Sequence, residues 1–163
     1  MNFTTARLSL ALAAALAAGC AVPEWQTLGT PQAEVERAMG RPTLTVPLAG
    51  GGERLLYSRQ PSGQQVYHMD FDAQHRLTRV TQALTPQAFE SLSAGQDTRE
   101  GVMQRFGPPA LVERVASFDG DVWTYRILDN TIQRRAHVHI DRAGVVRYVM
   151  FTDEPTYDHD QSR

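Results

Sequence analysis

The sequence predicts an α+β fold, two tandem helix-helix-antiparallel-sheet repeats placed after an N-terminal export signal. Three observations predict it. The chain matches itself at an offset that grows from 67 residues (Val35 to Val102) to 69 (His68 to His137). Each copy carries a short helix with a capping residue before it and a Gly-x-Pro after it. Each then continues into segments whose apolar residues alternate, the period of a strand with one buried face.

The chain opens with Arg7, the uncharged stretch Leu8 to Leu16, and small residues up to Cys20. That is the layout of a secretory signal peptide. The apolar stretch is shorter than the ~20 residues a permanent spanning helix needs. Leu16-Ala17-Ala18-Gly19-Cys20 resembles the bacterial lipobox. The resemblance implies cleavage between Gly19 and Cys20, with residues 1–19 as a lipoprotein signal peptide and a diacylglyceryl group on the Cys20 thiol. Two or more acyl chains hold a protein on a membrane where one does not. Residues 20–28 are then the lipidated cysteine and its tether.

Removal of residues 1–19 from 163 leaves 144, and loss of Arg7 takes the net charge from −2 to −3. All 16 basic residues are arginine. A Schiff base, a P-loop lysine and a Ser-Lys dyad are therefore excluded. Lipidation of the single cysteine also excludes thiol catalysis, disulfides and cysteine-bound zinc. The near-neutral charge has no basic stripe of the kind nucleic acid requires.

The first repeat spans 29–83 and the second 84–152. In 28–42, "LGTPQAEVERAMGRP", Thr30 is expected to cap a helix with Pro31 at its first position. In 94–109, "AGQDTREGVMQRFGPP", Asp97 or Thr98 takes that role. Val35 with Met39, and Val102 with Phe106, stand four apart on one helix face. Gly40 and Gly107 suit a left-handed helix end, and Pro42 and Pro109 forbid continuation. Residues 84–95 read as a further helix capped by Thr85.

Strands follow each helix. Tyr57 pairs with Tyr125, His68 with His137 and Asp72 with Asp141 across the repeats. Tyr67, Met69 and Phe71 alternate with Val66, His68, Asp70 and Asp72, and Ala136, Val138 and Ile140 alternate with Arg135, His137, His139 and Asp141. Both read as half-buried strands. Asp119-Gly120 signals a tight turn, and residues 153–163 read as a polar frayed tail.

The order Gly29, Val35, Gly40, Pro42, a strand carrying Tyr57, then Asp70-x-Asp72 and Leu77 resembles the SmpA/OmlA (BamE-like) family of outer-membrane lipoproteins. The resemblance covers about 29–80 and again 95–151. It implies two helices on a three-stranded antiparallel sheet in each repeat, no catalytic centre, and protein partners in the envelope, β-barrel assembly components among them. The tandem arrangement is also similar to that of the β-lactamase inhibitor protein, which implies an alternative role as a periplasmic inhibitor or binding module for a hydrolase. Ala21 and Val22 follow the cysteine with no aspartate beside it. By resemblance to enterobacterial sorting, this implies the periplasmic face of the outer membrane of a Gram-negative bacterium.

Chemistry-bearing residues add little to an enzyme reading. His137-x-His139-x-Asp141 puts three residues of metal-ligating type on one strand face, but the first repeat has Asp70 in place of His139. The polar side of an amphipathic strand accounts for them, and no metal is expected. "YDHD" at 157–160 lacks a scaffold. Glu34 and Glu36 diverge around their helix, and no serine of the mature chain lies in a Gly-x-Ser-x-Gly elbow. The expectation is a non-enzymatic, lipid-anchored envelope protein with no cofactor beyond the Cys20 lipid and no small-molecule substrate. Its expected partner-binding strand face carries His68, Asp70, Arg135, His137 and His139.

Overall fold

A computed structural model describes residues 22–155. Gly19, Cys20, the signal peptide and residues 156–163 lie outside the described residues. The chain enters through a 3-10 turn, Pro23–Trp25, then α1 (Gln32–Met39) and the strands β1 (Leu44–Pro47), β2 (Glu53–Ser58), β3 (Val66–Phe71) and β4 (Leu77–Gln82). Two helices follow, α2 (Pro86–Glu90) and α3 (Arg99–Phe106). The strands β5 (Leu111–Glu113), β6 (Gly120–Asp129), β7 (Ile132–Asp141) and β8 (Val146–Asp153) complete the fold. β1 to β4 form sheet A and β5 to β8 form sheet B, each an antiparallel meander in chain order. Among the described residues no helix is long and apolar enough to cross a membrane.

This corrects the expected fold class. Strands and bridges take 43% of the structure and helices 18%, so the fold is mostly β. The first half has one helix before its sheet, and both sheets have four strands. The extra strands were hidden because β1 and β5 are edge strands of four and three residues with no buried side chain. β1 half-buries only Leu44 and Val46 and β5 is exposed throughout, so neither is long enough to give a legible alternation.

The helix ends also differ in detail. Pro31, not Thr30, stands at the α1 N-cap, and the Thr30 hydroxyl donates to the carbonyl of Thr27 instead. Thr85 and Thr98 do cap α2 and α3, accepting from the backbone N–H of Ala88 and Gly101. Gly40 (φ 81°, ψ −166°) and Gly107 (φ 72°, ψ −166°) close α1 and α3 in the extended positive-φ region that only glycine occupies readily, not in the left-handed helical one. Their carbonyls then accept hydrogen bonds from the strand tyrosines, Tyr57 to Gly40 at 3.2 Å and Tyr125 to Gly107 at 2.8 Å.

Two apolar clusters build the layers. Val35 and Met39 of α1 pack on Leu55, Tyr57, Met69, Phe71 and Leu77, covering one face of sheet A. The other cluster joins Leu56 and Val66 from the opposite face of sheet A to Phe89, Val102 and Phe106 of the helices and to Tyr125, Ile127, Ala136, Val138 and Ile140 of sheet B. The order of layers is α1, sheet A, α2 with α3, sheet B. β3 is therefore buried along its whole length, where a half-buried strand was expected.

Arg126 locks the two sheets beside this core. Its guanidinium donates to the carbonyls of Pro61 and Ser62 and to Glu154. Its backbone exchanges hydrogen bonds with the Gln60 amide, at 2.8 and 3.2 Å. The expected tail thus starts later than 153, since Asp153 closes β8 and Glu154 is held by Arg126.

The helix-ending glycines give a graded test. A Cβ at Gly40 meets nothing within 4 Å, so Gly40→Ala should lose about 1–3 kcal/mol from backbone strain alone. A Cβ at Gly107 would stand 2.9 Å from Leu56 Cδ2, a fully buried side chain, so Gly107→Ala should lose more. Urea denaturation of the two variants measures the difference, and equal losses would show that Leu56 yields freely.

Candidate functional site

Sheet B turns one face to the α2–α3 layer and leaves the other without a covering layer among the described residues. Two cross-strand rows lie on this open face. Leu111, Thr124, His137 and Met150 form the first, and Glu113, Val122, His139 and Tyr148 the second. Arg126, Arg135 and Thr152 extend the face towards Glu154. Leu111, Tyr148 and Met150 are 45%, 43% and 50% exposed, so the face offers apolar contact area to solvent.

The histidines are held inside this surface. His137 bonds through Nδ1 to the Thr124 hydroxyl and through Nε2 to the Thr152 hydroxyl, both at 2.9 Å. His139 donates from Nδ1 to the His137 carbonyl at 3.3 Å and stacks on Tyr148 with ring centroids 4.1 Å apart. Phe118, from the β5–β6 loop, sets its ring edge against both. Asp141 accepts from the Val145 N–H and from Arg147 in the β7–β8 turn. Among the described residues no group of three His, Cys, Asp or Glu side chains stands close enough to share a metal ion.

The expected binding face divides between two places. Arg135, His137 and His139 stand together on the outer face of sheet B, where Phe118 and Tyr148 leave His139 only 7% exposed. His68 and Asp70 lie on the inner face of sheet A, 7% and 8% exposed, against the helical layer. His68 donates from Nε2 to the Arg105 carbonyl of α3 at 2.7 Å. Asp70 takes a two-pronged bond from Arg54 at 2.6 and 2.9 Å. The repeat places equivalent residues on equivalent strand faces, but α2 and α3 cover one of those faces.

No family model and no curated protein matches the chain. One solved structure does, a DUF4309 family protein (YjgB) from Bacillus subtilis, at 21% identity over 77% of this chain and 79% of that one, with a TM-score of 0.33.

The SmpA/OmlA (BamE-like) resemblance is therefore withdrawn, and with it the likeness to the tandem inhibitor. No model of that family matches, and two four-stranded meanders replace its two helices on three strands. The motif residues have a local cause instead. Gly40 ends a helix and receives Tyr57, while Asp72 Oδ1 accepts from the Gln74 and Arg76 N–H groups of a hairpin turn.

Phe118, Tyr148 and Met150 escaped the reading of the sequence. A signal was present in "VRYVMFTD": Val149 and Phe151 pack inward on the core, yet Tyr148 and Met150, on the opposite face, are apolar too. An edge strand that is apolar on both faces points to contact on both.

Three histidines couple the packing to pH. Burial lowers His68, helped by Arg54; burial lowers His137, helped by His139 and Arg135; burial lowers His139. Each is bound neutral in the fold and titrates near 6.5 when unfolded. The unfolded chain then holds more protons, so this share of stability is present above 6.5 and lost as pH falls through the lowered folded values. The urea midpoint should fall between about pH 7 and about pH 5, before carboxylates such as Glu24 titrate. The double variant His137→Gln, His139→Gln should flatten that slope, and a midpoint unchanged across the window would refute the assignment.

Proposed function

We propose that this chain is a non-enzymatic envelope protein, anchored by a lipid on Cys20, that binds another protein through the open face of sheet B. The observation that carries the reading is the uneven covering of the sheets. α1 packs on one face of sheet A, the α2–α3 layer packs on Leu56 and Val66 of its other face beside a cleft lined by Val46, Arg54 and Thr81, and the outer face of sheet B displays Leu111, Tyr148 and Met150 around the held histidines. Aromatic and methionine side chains set in a fixed polar frame suit the centre of a protein interface.

The engagement of the polar groups supports a binding role over catalysis. His137 has hydroxyl partners on both ring nitrogens, and Asp121, which arginine lowers below the usual carboxylate range, is held by Arg114 and Arg99. The lipobox order up to Cys20, followed by Ala21 and Val22, supports the periplasmic face of the outer membrane.

Site-specific photo-crosslinking in intact envelopes tests the face. A probe at Met150 should give one dominant adduct, and a probe at the exposed Gln74 in the β3–β4 turn should give none. Tyr148→Ala with Leu111→Arg should reduce that adduct roughly tenfold with an unchanged melting temperature. Equal labelling from both positions would refute the reading. The adduct's identity, a hydrolase or another envelope protein, defines the role. Cys20→Ser should remain unprocessed or become soluble, and a variant that is processed and membrane-bound like its parent would refute the anchor.

A further inference from the structure

The turn that follows the anchoring cysteine is tied down, yet it shows two large apolar side chains to solvent. Pro23 is buried, Glu24 accepts the Tyr67 hydroxyl of β3, and the Trp25 N–H donates to the Val22 carbonyl at 3.0 Å. At the far end the Gly29 N–H donates to the Leu77 carbonyl at 2.7 Å, at the start of β4. Between these ties Trp25 is 79% and Leu28 62% exposed. Trp25 is the most exposed of the large apolar side chains on the described surface, while Trp123 is 5% exposed in the core. An ordered segment that holds apolar area in water is one that has something to meet.

Chain length limits what it meets. Cys20 precedes Val22 by two residues, so its Cα lies within roughly 7 Å of the Val22 Cα at full extension. A diacylglyceryl group on that thiol puts its glycerol at the boundary of headgroups and acyl chains. The headgroup layer on each side of the ~30 Å hydrocarbon core is itself several ångströms deep. The Pro23–Leu28 turn therefore starts at the depth where tryptophan collects, its ring body in apolar surroundings and its indole N–H in the wet layer.

We infer that Trp25 and Leu28 seat in the headgroup region of the bilayer that carries the Cys20 lipid, which makes the Pro23–Leu28 turn a second, non-covalent membrane contact. The inference rests on the lipid-anchor reading of Cys20. It commits the segment to a lipid surface, because the tie of Glu24 to Tyr67 leaves too little free chain to lift the turn off the membrane. The contact restrains the orientation of sheet A on the bilayer as well as its distance from it.

The full lipidated protein carries two tryptophans, one of them buried, so its fluorescence reports Trp25 against an internal reference. It is reconstituted into phosphatidylethanolamine–phosphatidylglycerol vesicles doped with a lipid brominated near the headgroup end of its chains. Flotation first reports whether the chain is anchored. In the floated fraction, emission should shift to shorter wavelength, brominated lipid should remove roughly half of the Trp25 signal, and acrylamide quenching should fall about twofold. Trp25→Phe should abolish the lipid-quenched component and leave the Trp123 emission in place. A chain that floats while Trp25 stays fully open to acrylamide and untouched by brominated lipid overturns the inference, as does shielding that appears only when envelope proteins are added. A chain that does not float overturns the anchor, and this inference with it.

Discussion

The stack of Phe89 on Phe106, ring centroids 4.1 Å apart, holds the rest of the structure in place. Tyr125 leans on both rings and sends its hydroxyl to the Gly107 carbonyl that ends α3. Burial raises the pKa of that phenol far above its ordinary value, so it stays a neutral donor. Leu56 reaches the same cluster from sheet A, at the position that leaves no room for a side chain on Gly107. One helical layer thus supplies the inner core of sheet B and the cover for the second face of sheet A. Hydrophobic burial is non-directional, so the stack sets which surfaces meet, and the glycine carbonyl and His68 bonds set how they align.

The same layer decides which polar residues meet solvent. His68 and His137 occupy matching strand positions, yet His68 is drawn into a contact with the α3 backbone and His137 lies between two threonine hydroxyls on an open face. Asp70 is neutralised by a two-pronged arginine, whereas Asp141 serves the backbone of a turn. The two halves place similar chemistry at matching strand positions, and unequal covering gives it unequal use. The open face is accordingly the part of the chain whose composition its own packing does not account for, Tyr148 and Met150 above all.

Much of the local structure was legible because it has local causes. Thr85 and Thr98 before their helices, the alternation through Ala136, Val138 and Ile140, and the acceptor aspartates of the hairpin turns are written within a few residues of where they act. The links of Tyr57 to Gly40 and Tyr125 to Gly107 explain why those residues repeat together. What stayed hidden depends on distant partners or on none. β1 and β5 are four and three residues long, too short to show a pattern even though Leu44 packs on the core. The burial of His68 and Asp70 depends on helices that come later in the chain. Of the site, Arg135, His137 and His139 could be read from strand alternation. Phe118 could not, because only the path of a loop brings it over His139.

A duplicated sequence invites dissection into two separable modules, and the shared helical layer argues against it. A cut after sheet A would strip Leu56 and Val66 of their cover and open the outer side of the α2–α3 layer. It would also release Arg126 from the loop at Pro61 and Ser62. Each half would lose surface that is dry only in the presence of the other, so the halves are coupled in stability as they are in packing. The two halves share one core, so a change in either is constrained by the packing needs of both.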